Sequence, residues 1–147
     1  MYEAFLKWLS RILVLIFLLV ILRECVLIGG PKEVVLDAPP DGFEFGTKYT
    51  RYMTIPSVTF RWHFVEPKKG ATYRSWLIID KGSNPFDGGY EYMLDAGDKT
   101  ELGVSLDFDA HYEWGVVVKQ VGIGSRPSFK STKSRVSSLY IAPYPGN

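Results

Sequence analysis

The hydrophobic pattern of this chain changes once. From Ile12 to Leu22 every residue is apolar, ILVLIFLLVIL, with Arg11 in front and Arg23 behind. No polar position interrupts the run, so it predicts a helix that is hydrophobic all round, the pattern of a segment buried in lipid. Its eleven residues cover only about 17 Å at 1.5 Å each, against a hydrocarbon layer of roughly 30 Å. Continuing through Val26, Leu27 and Ile28 gives sufficient length by drawing Arg23 and Glu24 into the outer part of the bilayer. The stems of Arg11 and Arg23 can snorkel in opposite directions, and Tyr2 and Trp8 suit the interface. The expected layout is a short tail over 1–11, one transmembrane helix over 12–28 acting as an uncleaved signal anchor, and a linker with the first strand region over 29–45.

Two other readings of this segment stay open. Lys7 and Arg11 before an apolar run also suit a cleaved signal peptide. Cleavage requires a small-x-small site, however, and the chain offers Arg23, Glu24 and Cys25, then Gly29-Gly30 running into Pro31. Lipidation at Cys25 requires small residues in front of it, where Arg23 and Glu24 stand. With the tail in the cytoplasm, the rest of the chain faces the periplasm or exterior, although the basic residues flanking the run are balanced and do not set the orientation.

Beyond Val34 the period falls to two. Val58, Phe60, Trp62 and Phe64 share one face of a strand, with Thr59, Arg61 and His63 on the other. Leu102, Val104 and Leu106 repeat the pattern, as do Tyr112, Trp114, Val116 and Val118. Pro39-Pro40-Asp41-Gly42 breaks any helix and reads as a turn. Strands are expected near Glu33–Asp37, Ser57–Phe64, Tyr73–Asp80, Tyr90–Leu94, Thr100–Leu106, His111–Lys119 and Arg135–Ala142. Without helical periodicity between them, they predict an all-β, seven-stranded antiparallel sandwich over 34–147. Large apolar side chains at this spacing fill the space between sheets, which assigns Trp62, Leu106, Tyr112 and Trp114 to the core.

The segment Leu106-Asp-Phe-Asp-Ala-His-Tyr112 resembles the E-to-F corner of fibronectin type III domains, members of the immunoglobulin-like sandwiches. Trp62 falls where their B strand carries a core tryptophan, and the likeness runs from about Val34 to Pro143. The resemblance implies a tyrosine corner at Tyr112, its hydroxyl bonded to nearby backbone. It implies a fold and leaves function open.

Composition narrows the function. The net charge of +1 supplies no field for nucleic acid. Cys25 is the single cysteine, so no internal disulfide and no cysteine zinc site can form. His63 and His111 sit on alternating strands facing solvent, no serine lies in a Gly-x-Ser-x-Gly elbow, and Gly122-Ile-Gly124-Ser125 lacks the lysine of a phosphate loop. The carboxylates Asp95, Asp98 and Glu101, and Asp107, Asp109 and Glu113, read as turn and surface chemistry, with calcium binding the lesser alternative. No catalytic, cofactor or metal residues are expected, and an enzyme is the least favoured class.

What remains is contact chemistry. Lys119 to Arg135 reads as a long F-to-G connection carrying Arg126, Lys130 and Lys133 with no acidic residue, a candidate contact for a partner or for lipid headgroups. The Gly82–Gly89 loop presents Phe86 as a candidate contact. Arg23 and Glu24, next to the apolar run, are expected to meet another membrane subunit, because charges there are costly without partners. The favoured function is a non-catalytic accessory subunit of a membrane assembly, in contact with other membrane subunits and lipid. Energy-converting assemblies, photosynthetic or respiratory, commonly recruit one-helix subunits of this kind. The alternative is a membrane-tethered binding module for an envelope polysaccharide or extracellular ligand, using Trp76, Tyr90 and Tyr92.

Overall fold

The computed structural model describes residues 2–27, 30–46, 56–121 and 127–144; the helix side chains described are those of 7–21, and in the eighth strand those of 131–133. Helix α1 occupies Tyr2–Leu27, 26 residues. It begins at Tyr2 rather than Ile12 because Glu3, Ala4, Leu6 and Lys7 are good helix formers that continue the helix ahead of the apolar run. Leu13 through Ile21 each leave between 41% and 67% of their surface open. Among the described residues no helix is long and apolar enough to cross a membrane.

The remainder is a two-sheet β sandwich with nine strands among the described residues: β1 Glu33–Ala38, β2 Phe43–Phe45, β3 Ser57–Val65, β4 Thr72–Lys81, β5 Tyr92–Gly97, β6 Glu101–Ser105, β7 Ala110–Val121, β8 Pro127–Lys133 and β9 Ser137–Ile141. One sheet has the order β1-β3-β6, the other β2-β9-β7-β4-β5, with β8 also on β7. β4 pairs with β7 over their whole common length, from Thr72↔Val121 to Lys81↔Tyr112. β9 takes the other side of β7 from Ala110 to Trp114 and β8 takes it from Val117 to Val121, so the two lie in line.

Two strands go beyond the seven expected. β2 follows Pro39-Pro40-Asp41-Gly42, which is a turn, but one that carries the chain from the first sheet to the second, where Phe43–Phe45 pair in parallel with Leu139–Ile141. Asp41 fixes the crossing by accepting from the Ser138 backbone N–H at 2.8 Å and the Ser138 hydroxyl at 2.9 Å. β8 corrects the reading of Lys119–Arg135 as a loop: β7 runs on to Val121, and Pro127–Lys133 pairs with it. Its sequence PSFKSTK has no apolar alternation. The strand forms because β7 offers free backbone donors and acceptors, a requirement that composition does not register.

Between the sheets lie Phe60, Leu77, Ile79, Tyr112, Trp114, Val116, Val118 and Ile141, all with no exposed surface, with Trp62 and Leu106 almost as enclosed. Phe60 meets Trp114 edge-on, ring centroids 4.8 Å apart. Trp62 Nε1 donates to the buried Ser75 Oγ at 3.3 Å, tying β3 to β4 across the core. At the corner before β7, the Asp107 backbone N–H donates to the Tyr112 hydroxyl at 3.0 Å. Burial pushes the Tyr112 phenol above its ordinary value, so the hydroxyl stays protonated.

Candidate contact surfaces

Alternation along β4 and β7 sends Trp76, Ile78, Gly115, Val117 and Lys119 to the outer face of the second sheet. Half of that face is covered by the chain itself. In the loop after β4, Pro85 is buried and Phe86 half-buried, with the Phe86 ring lying so close to Gly115 that a Cβ there would overlap it. Ile78, paired with Gly115, is only 6% exposed although it points outward. Lys133 Nζ stands 5.1 Å from the Phe86 ring centroid. Asp80 anchors the loop through the Lys81 backbone N–H at 2.8 Å and the Ser83 hydroxyl. The Phe86 N–H donates to Asn84 Oδ1 at 2.9 Å. Phe86 and Lys133, both singled out as contact residues, are thus spatial neighbours, and Phe86 packs within the domain.

Nearer the start of β4 the same face is open. Val121 is 50% exposed, and Trp76 and Val117 are half-buried; Met93, paired with Ile78 on β5 farther along the face, is 49% exposed. The Trp76 ring has the Arg74 guanidinium 5.7 Å and the Lys119 ammonium 5.6 Å from its centroid. Arg74 Nε also reaches both Asp95 oxygens at 3.1 Å, and this hydrogen bonding holds the Asp95 carboxyl below its ordinary value. Lys119 makes no ion pair among the described residues. Tyr90 is exposed, whereas Tyr92 turns inward beside Ile79. The three aromatics proposed for ligand binding therefore do not share one face.

Of the other expected contact residues, Arg23 and Glu24 lie on α1 with side chains outside the described residues. Arg126 is outside them as well, and Lys130 is in β8 with its side chain outside them. Of the carboxylates singled out, Asp95, Glu101, Asp107 and Asp109 are engaged individually. Asp107 takes Lys81 Nζ at 2.6 Å, Glu101 takes Arg61 Nε at 2.6 Å, and Asp109 accepts from the Tyr140 hydroxyl at 3.1 Å. His63 is exposed and bonded to Asp37 at 2.8 Å, and His111 stacks on Tyr140 at 4.3 Å. Among the described residues no three His, Cys, Asp or Glu side chains converge as metal ligands. A groove of about 420 Å³ separates β1 from the break between β8 and β9, with Glu33 and Asp41 opposite Arg135 and the exposed Val136.

No protein-family model matches this chain, and no curated protein matches it either.

Proposed function

We propose that the chain is a non-catalytic accessory subunit of a larger membrane assembly. In this reading α1 lies in the bilayer among partner helices, and a fibronectin III-like sandwich braces partner subunits on the periplasmic or extracellular side. The observation that carries the proposal is the open apolar surface of α1. Nine successive residues, Leu13 to Ile21, are apolar and exposed, which is more than two helical turns and leaves no polar face. Such a helix is stable in lipid or protein and costly in water. The shortness of the apolar run favours protein neighbours, because a short span is accommodated by snorkelling, local thinning or association. Arg23 and Glu24, about 100° apart around a helix, cannot neutralise one another face to face and call for separate partners.

The fibronectin III-like reading is supported by the division of strands, β1, β3 and β6 against β4, β5, β7 and the β8–β9 line, and by the Tyr112 hydroxyl at the corner. Purification in mild detergent tests the function. The full chain should bring down stoichiometric partners, Arg23→Leu should reduce their recovery while improving membrane insertion, and unchanged recovery would reduce α1 to a tether. The tethered binding module is favoured by Trp76 on the open face. Its ring is already flanked by Arg74 and Lys119, which disfavours stacking of a neutral sugar.

A further inference from the structure

The fold gathers loops that are distant in sequence at the end where the linker from α1 arrives. Glu33, the first residue of β1, pairs with Val65, the last of β3, and Lys32 bonds Glu66 at 2.9 Å. The turn 66–71 is therefore beside the linker. Gly97 pairs with Ser75 and Glu101 with Arg61, which brings the turn 98–100 to the same end. Lys32, Lys68, Lys69 and Lys99 stand there beside Glu33, Glu66 and Asp98, and Lys119 lies two residues in from the end of β7. Lys69 and Lys99 are exposed and make no ion pair among the described residues.

The opposite end is acidic. Asp80, Glu91, Asp107 and Asp109 lie there, with Lys81 held between Glu91 at 3.3 Å and Asp107 at 2.6 Å. The helix end has a small positive excess, so the contrast between the two ends decides the outcome. The level of Tyr112, where Lys81 pairs, and that of Val121, where Thr72 pairs, lie nine residues apart on β7, which at about 3.3 Å each is about 30 Å, about three times the roughly 8–10 Å over which salt screens a charge. Upright, the domain presents lysines to an anionic leaflet and keeps its carboxylates beyond the reach of the surface field. Lying flat would bring the carboxylates into it.

We propose that the sandwich stands upright on an anionic lipid surface, with the turns 66–71 and 98–100 resting at the headgroups and Lys69 and Lys99 as contacts. This rests on the reading of α1 as a bilayer helix. The test uses the full chain in nanodiscs of phosphatidylcholine alone and of phosphatidylcholine with phosphatidylglycerol, followed by backbone hydrogen exchange. In phosphatidylglycerol the turns 66–71 and 98–100 should exchange several-fold more slowly, while the loops 82–91 and 106–109 should not change. High salt, or Lys69→Glu with Lys99→Glu, should abolish the slowing without altering exchange in β7. Equal exchange in the two lipids, or slowing at the acidic loops, overturns the proposal and leaves the anchor standing. Failure of the chain to float with phosphatidylcholine vesicles after alkaline washing overturns the anchor, and the upright domain with it.

Discussion

Replacing Trp62 by alanine tests the placement of the core most directly. The side chain is 2% exposed and bridges the sheets through Ser75. A buried tryptophan removes about 150–250 Å² from water, which at about 25 cal/mol per Å² is worth roughly 4–6 kcal/mol, and aromatic-to-alanine changes in cores cost about 3–5 kcal/mol. The stranded Ser75 hydroxyl, itself without exposed surface, adds about 1 kcal/mol. The expected loss is about 4–5 kcal/mol, a large part of the roughly 5–15 kcal/mol that holds a domain folded. Urea titration of the full chain in mild detergent, followed by near-ultraviolet circular dichroism, measures it. Trp62→Phe separates the contributions: most of the apolar volume stays and the Ser75 partner goes, for a cost of about 1–3 kcal/mol. A loss below about 1 kcal/mol for alanine with an unchanged denaturant slope would show that Trp62 does not fill the space between the sheets.

Tyr112→Phe removes one hydroxyl that accepts from the Asp107 N–H, and the same titration should show a loss of about 0.5–1.5 kcal/mol. Gly115→Ala sets a Cβ within 3.0 Å of Phe86 Cε2 and 3.1 Å of Ser134 Oγ, at a cost of about 1–3 kcal/mol. Adding Phe86→Ala should relieve that cost, and strictly additive effects would refute the contact. Asp41 is held below its ordinary 3.8, chiefly by the Ser138 backbone N–H, and Asp95 likewise, chiefly by its hydrogen bond to Arg74. A carboxyl with a depressed folded-state value stabilises the fold above its unfolded value and loses that contribution as pH falls through the folded one. Stability should therefore be flat above about pH 5 and fall below about pH 4. Asp41→Asn should shallow that fall, as thermal unfolding across the pH range would show.

The all-β class and the interior were legible in the sequence where a strand has one dry and one wet face. Val58, Phe60 and Trp62, and Tyr112, Trp114, Val116 and Val118, alternate because successive side chains leave a strand on opposite sides, and each of them is buried. The corner was expected only through the resemblance of Leu106 to Tyr112 to fibronectin type III domains, and the bond that makes it, from the Asp107 N–H to the Tyr112 hydroxyl, is local in the chain. The apolar run from Ile12 to Leu22 marked a helix on hydropathy alone. Tertiary structure decided what depends on distant neighbours. β8 carries no apolar period and is a strand because β7 supplies a free edge, while β2 exists because Ser138 and Asp41 hold the crossover in place. Phe86 reads as exposed in a glycine-rich loop, yet the missing side chain at Gly115, on another strand, gives its ring a seat. The meeting of Lys32, Lys69 and Lys99 at one end follows from strand register, because hydrogen bonding between strands sets which turns become neighbours.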